Sequence, residues 1–124
     1  MSTYAAFVRK NRLPSTSVIK RALSSRGWAV EIDTEHTLDE LSGKLPLRVD
    51  DEPIEVAIEC STDFGRDTDS DVWAAVHKLT DVRIRFTGDG QGARWARDIA
   101  RGVALLACGA YLADGAEEPI HYGR

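Results

Sequence analysis

The chain has 124 residues and a formal net charge of −4, with 43% hydrophobic and 29% charged residues. That length can hold one hydrophobic core without disulfide or metal staples, and the composition excludes an intrinsically disordered chain. The longest weakly polar run, Gly102 to Ala113, is broken by glycines and too short for a membrane span, and Met1 to Pro14 contains no apolar signal segment. A cytoplasmic protein is expected, with Cys60 and Cys108 as buried free thiols.

The charge is unevenly spread. Residues 1–27 carry six basic side chains, Arg9, Lys10, Arg12, Lys20, Arg21 and Arg26, and no acidic one. Residues 31–71 carry fourteen acidic side chains against Lys44, Arg48 and Arg66. Such asymmetry gives the surface field a direction, which bears on partner choice more than on fold.

In chain order, residues 1–13 read as a polar, basic and partly mobile lead. Pro14-Ser15-Thr16-Ser17 then offers an N-cap, and Val18, Ile19, Ala22 and Leu23 fall at helical spacing before Gly27 stops the pattern. Three alternating segments follow, with apolar residues at Trp28/Val30/Ile32, Leu45/Leu47/Val49 and Ile54/Val56/Ile58/Cys60. Alternation of this kind marks strands with one dry face. Asp33 to Gly43 reads as a loop with about one helical turn. Pro46 suggests a strand end or an edge, and Asp50-Asp51-Glu52-Pro53 a hairpin connection. Residues 61–71 form an acidic loop, and periodicity does not decide whether residues 72–79 are helix or strand. Val82-Arg-Ile-Arg-Phe86 is a fourth strand, with Arg83 and Arg85 on its wet face.

After the turn Thr87-Gly-Asp-Gly-Gln-Gly92 comes the strongest helix, Ala93 to Ala107, with Ala96, Ile99, Ala100, Val103, Leu106 and Ala107 on one face. Gly109 is its expected stop, Ala110 to Asp114 a last strand, and residues 115–124 a flexible polar tail. The expected architecture is α+β, a single-domain two-layer sandwich. Its mostly antiparallel sheet has about five strands in the order α-β-β-β-β-α-β, with two helices on one face.

No sequence motif names a reaction. Asp67-Thr-Asp-Ser-Asp71 begins like a calcium loop, but Val72 and Lys78 stand where the turn glycine and the closing glutamate belong. His36, His77 and His121 lack metal-ligand spacing. Cys60 continues a dry strand face, where a thiol behaves as a small hydrophobe. The glycines at 88–92 lack the Lys-Ser/Thr ending of a phosphate loop, so turn chemistry suffices. Arg94, Arg97 and Arg101 share a helix face with Asp98, whose carboxylate is expected to pair with Arg94 and Arg101. Glu55 and Glu59 are expected to pair across strands with Arg83 and Arg85, each pair worth roughly 0.2–1 kcal/mol.

Leu41-Ser42-Gly43-Lys44-Leu45-Pro46, the helix after a Pro-Ser start, the acidic turn into the next strand, Ile84-Arg85-Phe86 and the Ala-rich helix together resemble small bacterial immunity proteins. These are cytoplasmic antidotes of polymorphic, contact-dependent or type VI secreted toxins. Similar chains tend to be aromatic in the third strand, where this one has Ile54 to Glu59. The resemblance implies a stoichiometric binder of a cognate protein toxin, not an enzyme, acting without cofactor, metal, membrane or nucleic acid. The acidic surplus supplies the candidate partner-binding residues Glu31, Asp33, Asp50, Asp51, Glu52, Glu55, Glu59, Asp63, Asp67 and Asp69. A homodimer through an edge strand or the wet sheet face stays open. Two other classes compete: a regulatory nucleic-acid module using residues 9–26 with Arg94, Arg97 and Arg101, and a small enzyme using a cysteine or histidine.

Overall fold

The central strand of the main sheet is β1, Ser2–Val8, hydrogen-bonded on both sides. The computed structural model describes residues 1–32, 37–41, 43–45, 47–62 and 71–122. The other described strands and α-helices are α1 (Thr16–Ser24), β2 (Val30–Ile32), β3 (Gly43–Lys44), β4 (Leu47–Val49), β5 (Glu52–Pro53), β6 (Val56–Ser61), α2 (Asp71–Leu79), β7 (Val82–Gly88), α3 (Gln91–Leu106), β8 (Ala110–Leu112) and β9 (Ile120–His121), with single 3-10 turns at Lys10–Arg12 and Leu38–Glu40. Among the described residues the main sheet runs β3-β6-β7-β1-β8-β9, and a second sheet runs β2-β4-β5. Every described pairing is antiparallel.

The α+β class and the mostly antiparallel sheet hold, and the details depart from expectation at both ends of the chain. Residues 1–13 do not form a mobile lead, because Ser2–Val8 fills the middle of the sheet. Its sequence hides this because both faces are covered, so apolar residues do not alternate with polar ones. Ala6 and Val8 belong to the principal core, and Ala5 and Phe7 to a smaller cluster on the other face. At the other end, part of the expected flexible tail is strand: β9 pairs with β8, Ala110 opposite His121.

The alternating segments also fall into two sheets rather than one. Val30 pairs with Val49 and Arg48 with Pro53 in the small sheet, whereas β6 joins the main sheet with Ile58 opposite Phe86. Alternation sets which side is dry, and both sheets turn a dry side inward: Val30, Leu45, Val49, Ile54, Val56 and Ile58 share one core. Helices α1 and α3 cover that core, contributing Ile19 and Leu23 from one and Ala96, Ile99, Ala100 and Val103 from the other.

Residues 72–79 are helix, and the helix lies on the opposite face. Val76 of α2 packs with Ala5, Phe7 and Ala110, which point away from α1 and α3. The face expected to stay wet is therefore covered over part of β1 and β8. It stays open toward Thr3, Ala57, Glu59, Arg85 and Thr87, which line a cavity of about 480 Å³.

The start of α3 is locked to the strand before it by close backbone approach. A Cβ on Gly92 would sit 2.6 Å from the Glu55 carbonyl oxygen, and one on Gly88 would sit 2.3 Å from the Gly92 carbonyl oxygen. Gly88 and Gly92 thus serve packing, whereas Gly90, with φ of 56° and open space around it, serves the turn's conformation.

Candidate interaction surfaces

The hairpin joining β4 to β5 holds three consecutive carboxylates. Val49 pairs with Glu52, leaving Asp50 and Asp51 as a two-residue turn with φ of 52° and 66°. Positive φ at both positions is the turn whose twist matches the flanking strands, and aspartate tolerates it better than most residues. The Asp50 amide donates to the Ala29 carbonyl at 2.9 Å, tying the turn to the entry of β2. Arg48 Nη2 donates to the Asp51 carbonyl at 2.7 Å, so this guanidinium holds the turn's backbone. Glu31 lies on β2 opposite Arg48. Glu31, Asp50, Asp51 and Glu52 are all exposed, and none has an ion-pair partner among the described residues.

The remaining candidate residues divide. Glu55 and Glu59 belong to the segment that feeds and forms β6 in the main sheet. Each has a cation: Lys44 Nζ lies 2.7 Å from Glu55, and Arg85 pairs with Glu59 directly across the strands. The expected cross-strand pairing thus holds for Glu59 with Arg85, while Glu55 takes Lys44. Exposed pairs of this kind contribute little stability. Asp33, Asp63, Asp67 and Asp69 lie outside the described residues, as do His36 and part of the Leu41–Pro46 motif.

The expected basic surface is also divided. Asp98, only 10% exposed, pairs with Arg97 at 3.5 Å and with Arg26 after α1 at 4.0 Å, not with Arg94 and Arg101. The Arg26 contact is a tertiary one, which i, i+4 spacing cannot reveal. Arg9, Lys10 and Arg12 instead gather with Lys78 of α2 beyond the end of β1.

The two thiols differ. Cys60 is half-buried against the core, and its Sγ donates to the Leu38 carbonyl at 3.4 Å. Cys108 was expected to be buried and is exposed, in the left-handed region with φ of 54°. It lines a cavity with His121 and Tyr122. Among the described residues no group of three or more His, Cys, Asp or Glu side chains is placed to hold a metal ion, and no helix is long and apolar enough to cross a membrane.

No protein-family model, curated protein or solved structure matches this chain.

Proposed function

We propose that this chain is an immunity protein: a cytoplasmic, stoichiometric antidote that binds the toxic domain of a larger secreted bacterial effector and occludes its active site. The observation that carries the reading is the Asp50–Asp51 hairpin. It presents three consecutive carboxylates on a turn fixed by Ala29 and Arg48, with Glu31 on the same small sheet and no cation assigned to them among the described residues. Four carboxylates around the single arginine Arg48 leave a surplus of like charge at one place, which is unfavourable in the free protein. A basic partner surface relieves that cost, speeds encounter and selects against wrong partners. The likeness of the Leu41–Pro46 stretch and its neighbouring elements to small immunity proteins supports the same reading.

A toxin domain whose substrate is an anion, such as a nuclease or a nucleotide-using transferase, would offer the matching basic cleft. An acidic hairpin in that cleft excludes the substrate by charge and by volume. Glu55 and Glu59 are secondary candidates, since each must give up a cation to engage a partner.

The test starts with affinity capture of the tagged protein from its own cells and identification of what is retained. The expected result is one near-stoichiometric protein, the C-terminal region of a large secreted polypeptide, whose toxicity on expression is relieved by co-expression of this chain. The triple variant Asp50→Lys/Asp51→Lys/Glu52→Lys should lose protection and slow association, most strongly at low salt. Capture of no toxin would end the antidote reading. Unchanged association and salt dependence in the charge-reversed variant would move the interface away from the hairpin.

A further inference from the structure

A second charged site of opposite sign lies at the other end of β1. The acidic hairpin feeds β6, which enters the main sheet at Val56 opposite Gly88, where β7 ends and β1 begins. Arg9 and Lys10 follow Val8, opposite Val82, where β7 begins. Six residue steps of strand separate these two ends, roughly 20 Å.

At that far end two cavities of about 600 Å³ and about 320 Å³ share Arg9 and Leu79 as walls. Arg9, Lys10 and Lys78 line the larger, and Arg9 and Arg12 the smaller. Among the described residues the one carboxylate in either wall is Asp81, and its Oδ1 accepts the Lys10 backbone amide at 2.6 Å. Arg9 Nε donates to the Leu79 carbonyl at 2.9 Å, which pins its guanidinium between the cavities at the C-terminal end of α2. The side chains of Lys10, Arg12 and Lys78 are exposed and have no ion-pair partner among the described residues.

We propose that this double cleft binds a ligand carrying more than one phosphate group, with Arg9, Lys10 and Lys78 on one phosphate and Arg9 and Arg12 on the next. Four cations gathered around open space repel one another, and a multivalent anion relieves that repulsion. Arginine's planar fork matches phosphate oxygens, while lysine adds a mobile point charge. The volumes fall in the range of small-molecule sites, and the Tyr122 ring in the smaller wall offers a stacking surface for a base. The ligand chemistry is therefore phosphate in series, supplied either by a free nucleoside polyphosphate or by a nucleic-acid backbone. The proposal is independent of toxin binding, since the hairpin residues take no part in the cleft.

The test measures binding of ATP by calorimetry and of a short fluorescein-labelled single-stranded DNA by anisotropy, both at low ionic strength and again with added salt. Wild type should bind at least one probe, and binding should weaken as salt rises. Arg12→Ala/Lys78→Ala should weaken it by about tenfold or more, the loss expected for charge-assisted hydrogen bonds. Lys20→Ala/Arg94→Ala removes equal charge from exposed positions on α1 and α3 and should leave binding within about twofold, since exposed charges at a distance are screened. ATP without DNA identifies a nucleotide site, and DNA with ATP as a weaker competitor identifies a backbone site. Binding of neither probe, or equal weakening by both variant pairs, would overturn the proposal. Thermal melts verify folding of each variant, and Arg12→Gln/Lys78→Gln replaces the alanine pair if that pair melts early.

Discussion

Gly102 on α3 faces Ala22 on α1 so closely that a Cβ added to Gly102 would stand 2.3 Å from the Ala22 Cβ. Both helices press their apolar faces onto the same core, and the missing side chain lets them approach. Gly102→Ala improves helix propensity by about 1 kcal/mol. It also forces the helices apart, at a cost of roughly 1–3 kcal/mol. With so short a contact overpacking should win, and the variant should be less stable by up to about 2 kcal/mol in urea unfolding. Adding Ala22→Gly should recover part of the loss. Recovery absent, or a more stable single variant, would mean the interface has room the geometry does not show.

The central place of β1 makes a sharper prediction. Phe7 is 2% exposed and packs with Val76 and Ala110, and β1 pairs with β7 from Ser2 to Val8 and with β8 from Ala5 to Phe7. Phe7→Ala should cost about 3–5 kcal/mol, and removal of residues 1–8 should abolish folding. In native-state hydrogen exchange the amides of Ala5 to Val8 should be among the slowest. If they exchange as fast as those of Lys10 to Arg12, this strand is not in the middle of the sheet.

What the sequence revealed, and what it concealed, follows from how many faces each element buries. Val82–Gly88 was legible because α3 covers one face and leaves Arg83 and Arg85 half-exposed on the other, so period two survives. The buried face of α3 was legible at Ala96, Ile99, Ala100 and Val103 for the same reason, although Leu106, placed on that face by spacing, is 44% exposed at the helix end. Strand β1 has no polar face to betray it. The split of Val30, Val49 and Val56 between two sheets was hidden because alternation gives the dry side of a strand but not its neighbour. In the candidate surface, the acidic hairpin could be read from Asp50-Asp51-Glu52 alone. The convergence of Arg9, Lys10 and Arg12 with Lys78 required the long-range pairing of β1 with β7.

Gly27 and Cys108 show the same helix-ending geometry with different residues. Gly27 has φ of 89° after α1, with the Trp28 amide donating to the Leu23 carbonyl at 3.2 Å. Cys108 has φ of 54° after α3, with the Gly109 amide donating to the Ala104 carbonyl at 2.8 Å. Gly27 acts as expected, whereas the stop assigned to Gly109 falls one residue earlier. A side chain in the left-handed region costs about 1 kcal/mol, so Cys108→Gly should stabilise the protein by about 0.5–1 kcal/mol. It should also abolish the fast phase of thiol labelling, leaving half-buried Cys60 to react slowly. A loss of stability would show that the Cys108 side chain contributes packing that outweighs its backbone cost.

Tyr111 sets an alkaline limit. Burial raises its phenol above the ordinary tyrosine range; Tyr4 adds to the rise, Arg97 opposes it, and Tyr122 and Arg101 make smaller contributions in the same opposing senses. Its ring stacks on Tyr4 with centroids 6.5 Å apart. A raised folded-state value means that the unfolded chain loses the proton first. The stability contribution is therefore complete below about pH 10 and is lost as pH rises toward and through the folded value. Tyr111→Phe should unfold in urea with a smaller drop in stability between neutral and strongly alkaline pH than wild type. An identical alkaline drop in both proteins would assign the loss to other groups.

Asp51 separates the energetics of the turn from the binding role proposed for it. It sits at the second central position of the hairpin with φ of 66°, where glycine carries no Cβ penalty. Asp51→Gly should therefore raise stability by about 0.5–1 kcal/mol, even though it deletes a charge from the surface. Arg48 is bonded to the Asp51 backbone carbonyl, so the turn keeps that support whatever the side chain. With the cognate toxin domain, the same variant should associate more slowly and with a weaker salt dependence than wild type. Greater stability with unchanged association would leave the turn correct and remove Asp51 from the interface. Lower stability would show instead that the aspartate side chain holds the turn, and its carboxylate would then belong to the fold before it belonged to any partner.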